Sequence, residues 1–285
     1  MASHEFTSIR SPRIKGARRL AKRAFRQRER RFLAEGPQAV REALAAPSGV
    51  QELFATADAV QRHSELVDAA YAAGIPVHRV SLEVMSELAQ TVTPQGVIAI
   101  CDFVDVPLAE VGDIRLAVVL SHVRDPGNAG TVLRTADAAG ADVVIFTDAS
   151  VDPYNGKCVR ASAGSLFHLP VVVGMPTADA IDHLRGLGAG VFAADGSGPR
   201  DLHAAADAGS FDDRVAWVFG NEAWGLPAET VALTDTAVSV PIYGSAESLN
   251  LATAAAVCLY TTAREQRSAA RPGTSAADTA ADNRG

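Results

Sequence analysis

Three stretches of this chain place polar residues at spacings that could serve chemistry. The first, residues 120–148, runs an apolar strand into Asp125-Pro126-Gly127-Asn128-Ala129-Gly130 and then into a helix bearing Arg134. Small residues at such a turn let backbone amides approach a ligand at the helix N-terminus, where the dipole favours anions. A helix starting at Asn128 points both Asn128 and Arg134 toward one mouth of a sheet, though not along one stripe. An ordinary glycine-containing turn with a surface arginine fits this stretch equally well. In the second stretch, residues 217–227, a buried strand ends in Gly220, then Asn221 and Glu222, then Gly225. A strand that ends in glycine at the carboxyl edge of an α/β sheet is a common ligand crevice. In the third, residues 238–260, a strand reaches Val240-Pro241, a loop follows, and Ser248-Leu249-Asn250 open an alanine-rich helix. Ser248 and Asn250 there are equally suited to capping that helix.

The elements needed to position these residues are legible in the hydrophobic pattern. Strands are expected at 115–123, 142–147, 170–173, 190–194, 215–219 and 237–240, with helices between them and a long closing helix over 247–264. Upstream lies a shorter series: a helical stretch at 10–30, helices at 37–46, 57–73 and 81–88, and strands at 51–56, 76–80 and 96–102. This alternation predicts a small α/β domain with a mostly parallel sheet. Residues 104–113 have the composition of a linker. The chain therefore divides into 1–105, 106–267 and a tail, 268–285, which has no large apolar residue and is expected to be disordered.

Charge is distributed unevenly. The 285 residues carry a net charge of −7, yet the first 31 hold 11 of the 26 basic side chains and only two acids, Glu5 and Glu29. A basic segment on an acidic body is the pattern of a local phosphate-contacting arm, and the expected RNA contacts are Arg10, Arg13, Lys15, Arg18, Arg19, Lys22 and Arg23. Arg26, Arg28, Arg30 and Arg31 continue the run. An arginine-rich solvated helix face is the bland alternative. Cys101, Cys158 and Cys258 are isolated, without metal-ligand spacing, and no apolar run is long enough to span a membrane. A reduced cytoplasmic protein without disulfides or zinc is expected.

Taken together, the three stretches resemble the motifs of the SpoU (TrmH) family within the SPOUT methyltransferases. The residues concerned are Asn128-x-Gly130-x-x-x-Arg134, then Gly220-Asn221-Glu222-x-x-Gly225-Leu226, then Pro241 followed by Glu247-Ser248-Leu249-Asn250, in the family's order. The resemblance covers about residues 115–265, and the N-terminal part resembles the ribosomal-protein-like RNA-binding domain that precedes the catalytic domain in many members. It implies an α/β SPOUT domain with a deep trefoil knot, a homodimer packed through that knot, and transfer of a methyl group from S-adenosylmethionine to a ribose 2′-hydroxyl. The implied RNA is ribosomal, most specifically 23S rRNA, with antibiotic resistance as one biological setting and tRNA as an alternative substrate. The implied donor contacts are Ala194, Asp195 and Gly196, then Phe219, Gly220 and Asn221, then Val240, Ile242, Ser248, Leu249 and Asn250.

For the reaction, the resemblance points to Arg134. A guanidinium does not give up its proton in proteins, so Arg134 is expected to hold an RNA phosphate and stabilise the forming alkoxide while phosphate or water takes the proton. Asn128 from a partner subunit would position the ribose or the arginine, Glu222 and Asn250 would orient Arg134 and its loop, and Ser248 would fix the 2′-oxygen. Two other classes compete. A dinucleotide-dependent oxidoreductase could use the strand–turn–helix–strand of 118–148 with Asp148 as the ribose acid, but residues 125–130 are not GxGxxG and the other two stretches go unused. A catalytically silent RNA-binding assembly protein would have no need of Asn128, Arg134, Glu222, Ser248 and Asn250 together. Hydrolase chemistry finds no GxSxG, and His122 reads as a strand-end residue.

Overall fold

The computed structural model describes residues 5–47 and 49–269. The N-terminal series contains α1 (Pro12–Arg19), α2 (Arg23–Glu29), β1 (Arg31–Glu35), α3 (Pro37–Ala45), β2 (Val50–Ala55), α4 (Ala57–Arg62), α5 (Ser64–Ala72), β3 (Val77–Arg79), α6 (Leu82–Leu88) and β4 (Val97–Asp102). The second series contains β5 (Leu116–Leu120), α7 (Pro126–Ala139), β6 (Val143–Thr147), α8 (Gly156–Ser162), β7 (Val171–Met175), α9 (Thr177–Gly186), β8 (Gly190–Ala194) and β9 (Arg200–Asp201). It ends with α10 (Leu202–Asp207), β10 (Val215–Phe219), α11 (Ala228–Ala232), β11 (Thr236–Ser239) and α12 (Leu251–Ala269). The tail expected over 268–285 lies outside the described residues from 270 onward; Ser268 and Ala269 complete α12.

The second series forms a seven-stranded sheet in the order β7-β6-β5-β10-β8-β11-β9, and every pair in it is parallel. Strands buried on both faces need continuous apolar runs, which Leu116–Leu120 and Val215–Phe219 supply. The strand order turns back where β5 and β10 lie side by side, so their carboxyl ends open onto the crevice that doubly wound sheets offer to ligands. The two-residue β9 adds an edge strand not foreseen from the pattern, too short to leave a periodic trace.

The first sheet departs from expectation. Its order is β1-β4-β2-β3, and only β2 and β3 run parallel; β4 lies antiparallel to both β1 and β2. Strand–helix alternation shows that the chain crosses over the sheet but not which slot a late strand enters. Here β4 returns to the centre, pairing Ala99 with both Ala34 and Leu53. The helix expected over 57–73 breaks at His63 into α4 and α5, because that residue leaves the helical region at φ −127° and ψ 45°.

The basic N-terminal segment is a docked element. Ile14 and Ala17 of α1, with Leu20 at its C-cap, are buried in one cluster with Phe54, Val84 and Ile98. The other face of this sheet shares one continuous core with the second series, in which Phe32 and Val97 join Leu120, Val132, Tyr154 and Trp217. The expected linker is pinned too: Val104 and Asp105 donate their backbone N–H groups to the Tyr154 hydroxyl at 2.9 and 2.8 Å, and Phe103 stacks on the Tyr154 ring at 3.8 Å. Arg160 bonds Glu35 across the two series at 2.9 Å. His168 bridges Asp137 and Glu42; burial works against its protonation, but the two carboxylates prevail and hold its pKa above the ordinary imidazole value. All three cysteines are buried, and burial pushes their thiols up, away from thiolate chemistry. No helix among the described residues is long and apolar enough to cross a membrane.

Candidate active site

A pocket opens beside the carboxyl ends of β8, β10 and β11 and collects three loops far apart in sequence. Ala194, Asp195 and Gly196 come from the first, Phe219, Gly220, Asn221, Glu222 and Gly225 from the second, and Val240, Ile242, Glu247, Ser248 and Leu249 from the third. Of the residues expected to bind a donor, all but Asn250 line this pocket. Val238, Leu251 and Ala254 also line it and were missed. Leu251 and Ala254 are three apart at the start of α12 and so share a helix face; their periodicity was visible, but nothing in the pattern said which face the loops would cover.

The loop after β10 is rigid by construction. Asn221 and Gly225 exchange two backbone hydrogen bonds of 2.8 and 2.9 Å, and Gly225 takes φ +74° to close the turn. A Cβ on Gly220 would stand 2.4 Å from the carbonyl of Gly225, so only glycine permits this closure. The Asn221 side-chain amide donates to the His122 carbonyl at 2.9 Å, tying this loop to the one after β5.

Asn128, Glu222 and Asn250, one from each motif, form a single polar chain. The Glu222 carboxylate accepts from the backbone N–H of Arg124 and Asp125 at 3.1 and 3.0 Å and from the Asn128 amide at 3.4 Å. Asn250 Nδ2 donates to Asn128 Oδ1 at 3.1 Å, while its own Oδ1 accepts from the N–H of Ala252 at 2.9 Å and so caps α12. Within one chain, then, Glu222 and Asn250 bond Asn128 and the 124–125 backbone that leads into α7, and neither bonds Arg134. Arg134 lies on the exposed side of α7 with no hydrogen-bond or ion-pair partner among the described residues, and it is absent from the pocket lining. The physical reason is helical: α7 starts at Pro126, and six residues carry Arg134 about 9 Å along and about 120° around from Asn128.

The glycine-rich turn before α7 also works differently from expectation. Asp125 is the N-cap, accepting from the Asn128 N–H at 2.8 Å, and its Lys157 partner together with that N–H holds its carboxyl below the usual range. Gly130 faces α8: a Cβ there would stand 2.4 Å from the Cys158 carbonyl oxygen. It serves close packing of α7 against α8.

Among the expected RNA contacts, all seven are exposed. Arg13 pairs with Glu52 and Arg18 with Glu87, each at 2.9 Å. Arg10, Lys15, Arg19, Lys22 and Arg23 have no ion-pair partner among the described residues.

The pocket chemistry is selective. Its walls are main chain and apolar side chains, its charged lining groups are the carboxylates of Asp195, Glu222 and Glu247, and it has no lysine or arginine. Such a lining suits a flat heterocycle held by backbone groups with a cationic centre near the acids. No group of three metal-ligating side chains occurs among the described residues.

Comparison with known proteins agrees with this geometry. Residues 115–260 match the SpoU rRNA Methylase family, and residues 11–99 match the MRM3-like substrate binding domain. The chain is 35% identical to the 23S rRNA (guanosine(2553)-2′-O)-methyltransferase RlmP of Bacillus subtilis, covering 90% of this chain and 98% of that protein. The AdoMet-bound rRNA methyltransferase of Sinorhizobium meliloti superposes with a TM-score of 0.81 at 32% identity, over 92% of this chain and 98% of the other. The SpoU methyltransferase AviRb of Streptomyces viridochromogenes, in complex with AdoMet, gives a TM-score of 0.77 at 28% identity, over 91% and 99%.

Proposed function

Because the chain belongs to the SpoU rRNA methylase family, we propose that it is an S-adenosylmethionine-dependent methyltransferase acting on a ribose 2′-hydroxyl of 23S ribosomal RNA. The observation that carries this reading is the convergence of three distant loops on one pocket, braced by the Asn128–Glu222–Asn250 chain. S-adenosylmethionine, when bound, supplies an activated methyl group on a sulfonium. The residues present fit it: Val240, Ile242 and Leu249 would give apolar contacts to the adenine, Gly196 and Gly220 bring main chain without side chains to the lining, and Asp195 and Glu247 would favour its positive charge. These loops correspond to the threaded region of a trefoil-knotted SPOUT domain.

A ribose 2′-hydroxyl is a weak nucleophile until its proton leaves, so the protein's task is to align the oxygen and stabilise the charge that develops on it. Arg134 supplies that charge and grips a neighbouring RNA phosphate, which, like water, can take the proton. Its absence from the pocket of its own chain supports delivery across a homodimer, one subunit's arginine facing its partner's donor. Ser248, exposed at the pocket edge, holds the 2′-oxygen, and Asn128 holds the ribose. In this reading residues 1–105 bind RNA through Arg10, Lys15, Arg19, Lys22 and Arg23, and residues 106–267 catalyse.

The test is transfer of labelled methyl groups from S-adenosylmethionine to total RNA from cells lacking the gene, followed by mass-spectrometric mapping. One alkali-resistant 2′-O-methylated nucleotide in 23S rRNA is expected. Label confined to tRNA, or on a base, would reject the proposal. Challenging the same cells with ribosome-targeting antibiotics separates self-resistance from routine modification.

Gly220→Ala tests the donor site alone. Overpacking of about 1–3 kcal/mol at the Gly225 carbonyl should open the loop and weaken donor binding roughly tenfold. Calorimetric titration with S-adenosylmethionine reads this directly, and unchanged affinity would remove Gly220 from the donor site.

A further inference from the structure

Beside the donor pocket stand two aromatic rings that neither the motifs nor the proposed chemistry uses. Trp224 lies between Glu222 and Gly225, both of which line the pocket, yet the residue is 54% exposed. Exposing an indole forgoes one of the largest apolar burials a side chain can make. The loop that displays it is closed by the paired backbone bonds of Asn221 and Gly225, so the ring is presented on a rigid support. His122 meets it edge-on, with ring centroids 5.4 Å apart and planes at 66°.

His122 is itself held in a costly conformation. Its φ of +62° is rare for a residue with a side chain. Two bonds maintain it: the Asn221 amide donates to its carbonyl at 2.9 Å, and Ser121 Oγ lies 3.0 Å from its Nδ1. The strain sits where the loop after β5 faces the loop after β10, and its effect is to set the imidazole against the indole. Two residues on, Arg124 is exposed with no ion-pair partner among the described residues. An exposed indole backed by a half-buried imidazole, with an unpaired guanidinium two residues further along the loop, is the chemistry of a base-stacking and phosphate-contacting surface.

We infer that Trp224, propped by His122, is the platform on which the nucleobase of the target nucleotide stacks. The inference rests on the proposed RNA 2′-O-methyl transfer and deepens it. A ribose oxygen cannot enter a pocket at the end of a sheet while its base remains stacked in a helix. An aromatic face at the pocket mouth replaces the stacking that is lost, and does so for any base, because every base has a π-face.

The experiment compares Trp224→Ala, Trp224→Phe and His122→Ala on two transcripts of the mapped 23S rRNA segment, one intact and one carrying an abasic ribose at the target position. On the intact RNA, Trp224→Ala should raise KM on the order of tenfold or more, with kcat changed less, and Trp224→Phe should recover most of the loss. On the abasic RNA the Trp224→Ala penalty should vanish. An equal penalty on both RNAs, or conversion of a dimer to monomers by Trp224→Ala in light scattering, would overturn the inference and assign the ring to scaffold or subunit packing. Trp217, the other tryptophan, is fully buried, so emission that changes when RNA is added reports Trp224. That titration, run with total rRNA, remains decisive if no methyl transfer to 23S rRNA is found: quenching in the wild type that is absent from Trp224→Phe upholds the platform, and no quenching rejects it.

Discussion

Arg134→Ala is expected to lower kcat by about 10²- to 10³-fold while leaving S-adenosylmethionine affinity near the wild-type value. The split follows from position. Arg134 lies outside the pocket lining and bonds no residue of the three donor loops, so its removal leaves the donor's contacts intact. A guanidinium is not a general base in proteins, so Arg134 contributes electrostatic stabilisation. Arg134→Lys should therefore rescue only part of the rate, because a point charge lacks the planar fork that grips phosphate while facing a second oxygen. At donor concentrations too low to load Gly220→Ala, mixing Arg134→Ala subunits with Gly220→Ala subunits should give more activity than the two parents summed if one chain's arginine serves the other's donor, since a mixed dimer then has one complete site. Single-turnover kinetics together with equilibrium donor binding check all three statements. Full turnover by Arg134→Ala would remove the arginine from the reaction.

Asp152→Ala is expected to cost about 3–5 kcal/mol of stability, lowering Tm by roughly 10 °C or more. Arg26 reaches Asp152 Oδ2 through Nε at 3.0 Å and through a terminal nitrogen at 2.7 Å, and the two side chains are only 3% and 8% exposed. The other terminal nitrogen donates to the carbonyls of Leu20 and Ala21 at 3.0 and 2.8 Å, and Asp152 Oδ1 accepts from the Tyr154 N–H at 2.9 Å. Four of the five guanidinium N–H groups and both carboxylate oxygens are therefore engaged, and removing the carboxylate strands a guanidinium in the interior. The pair also welds α2, part of the basic segment, to the segment preceding α8, so the loss should appear in methylation as a raised KM for RNA. Replacing both residues together, Arg26→Met with Asp152→Leu, should return much of the thermal stability, because the net worth of a buried pair is small beside the cost of breaking it. Differential scanning calorimetry decides the matter. A single variant as stable as the wild type would show that Arg26 finds water or another partner.

Asp152 and Arg26 also show where sequence reading loses resolution. Eleven basic residues in the first 31 mark a cationic segment, and α1 and α2 display most of them to solvent. Nothing local distinguishes Arg26 from its neighbours, since its burial depends on an acid 126 positions away. The same holds for Glu222 and Asn250. Their types and motif positions were legible, but their meeting on Asn128 and the 124–125 backbone joins residues 94 to 122 positions apart, which no local pattern records.

The order of strands and helices, the apolar runs of a buried parallel sheet, and the three polar motifs were written in the chain itself, because each depends on neighbours within a few residues. The insertion of β4 between β1 and β2, the role of Gly130 in helix packing, and the aromatic pair of His122 and Trp224 were decided only by folding. Each of these joins segments dozens of positions apart, and periodicity carries no record of which distant surface a given face will meet.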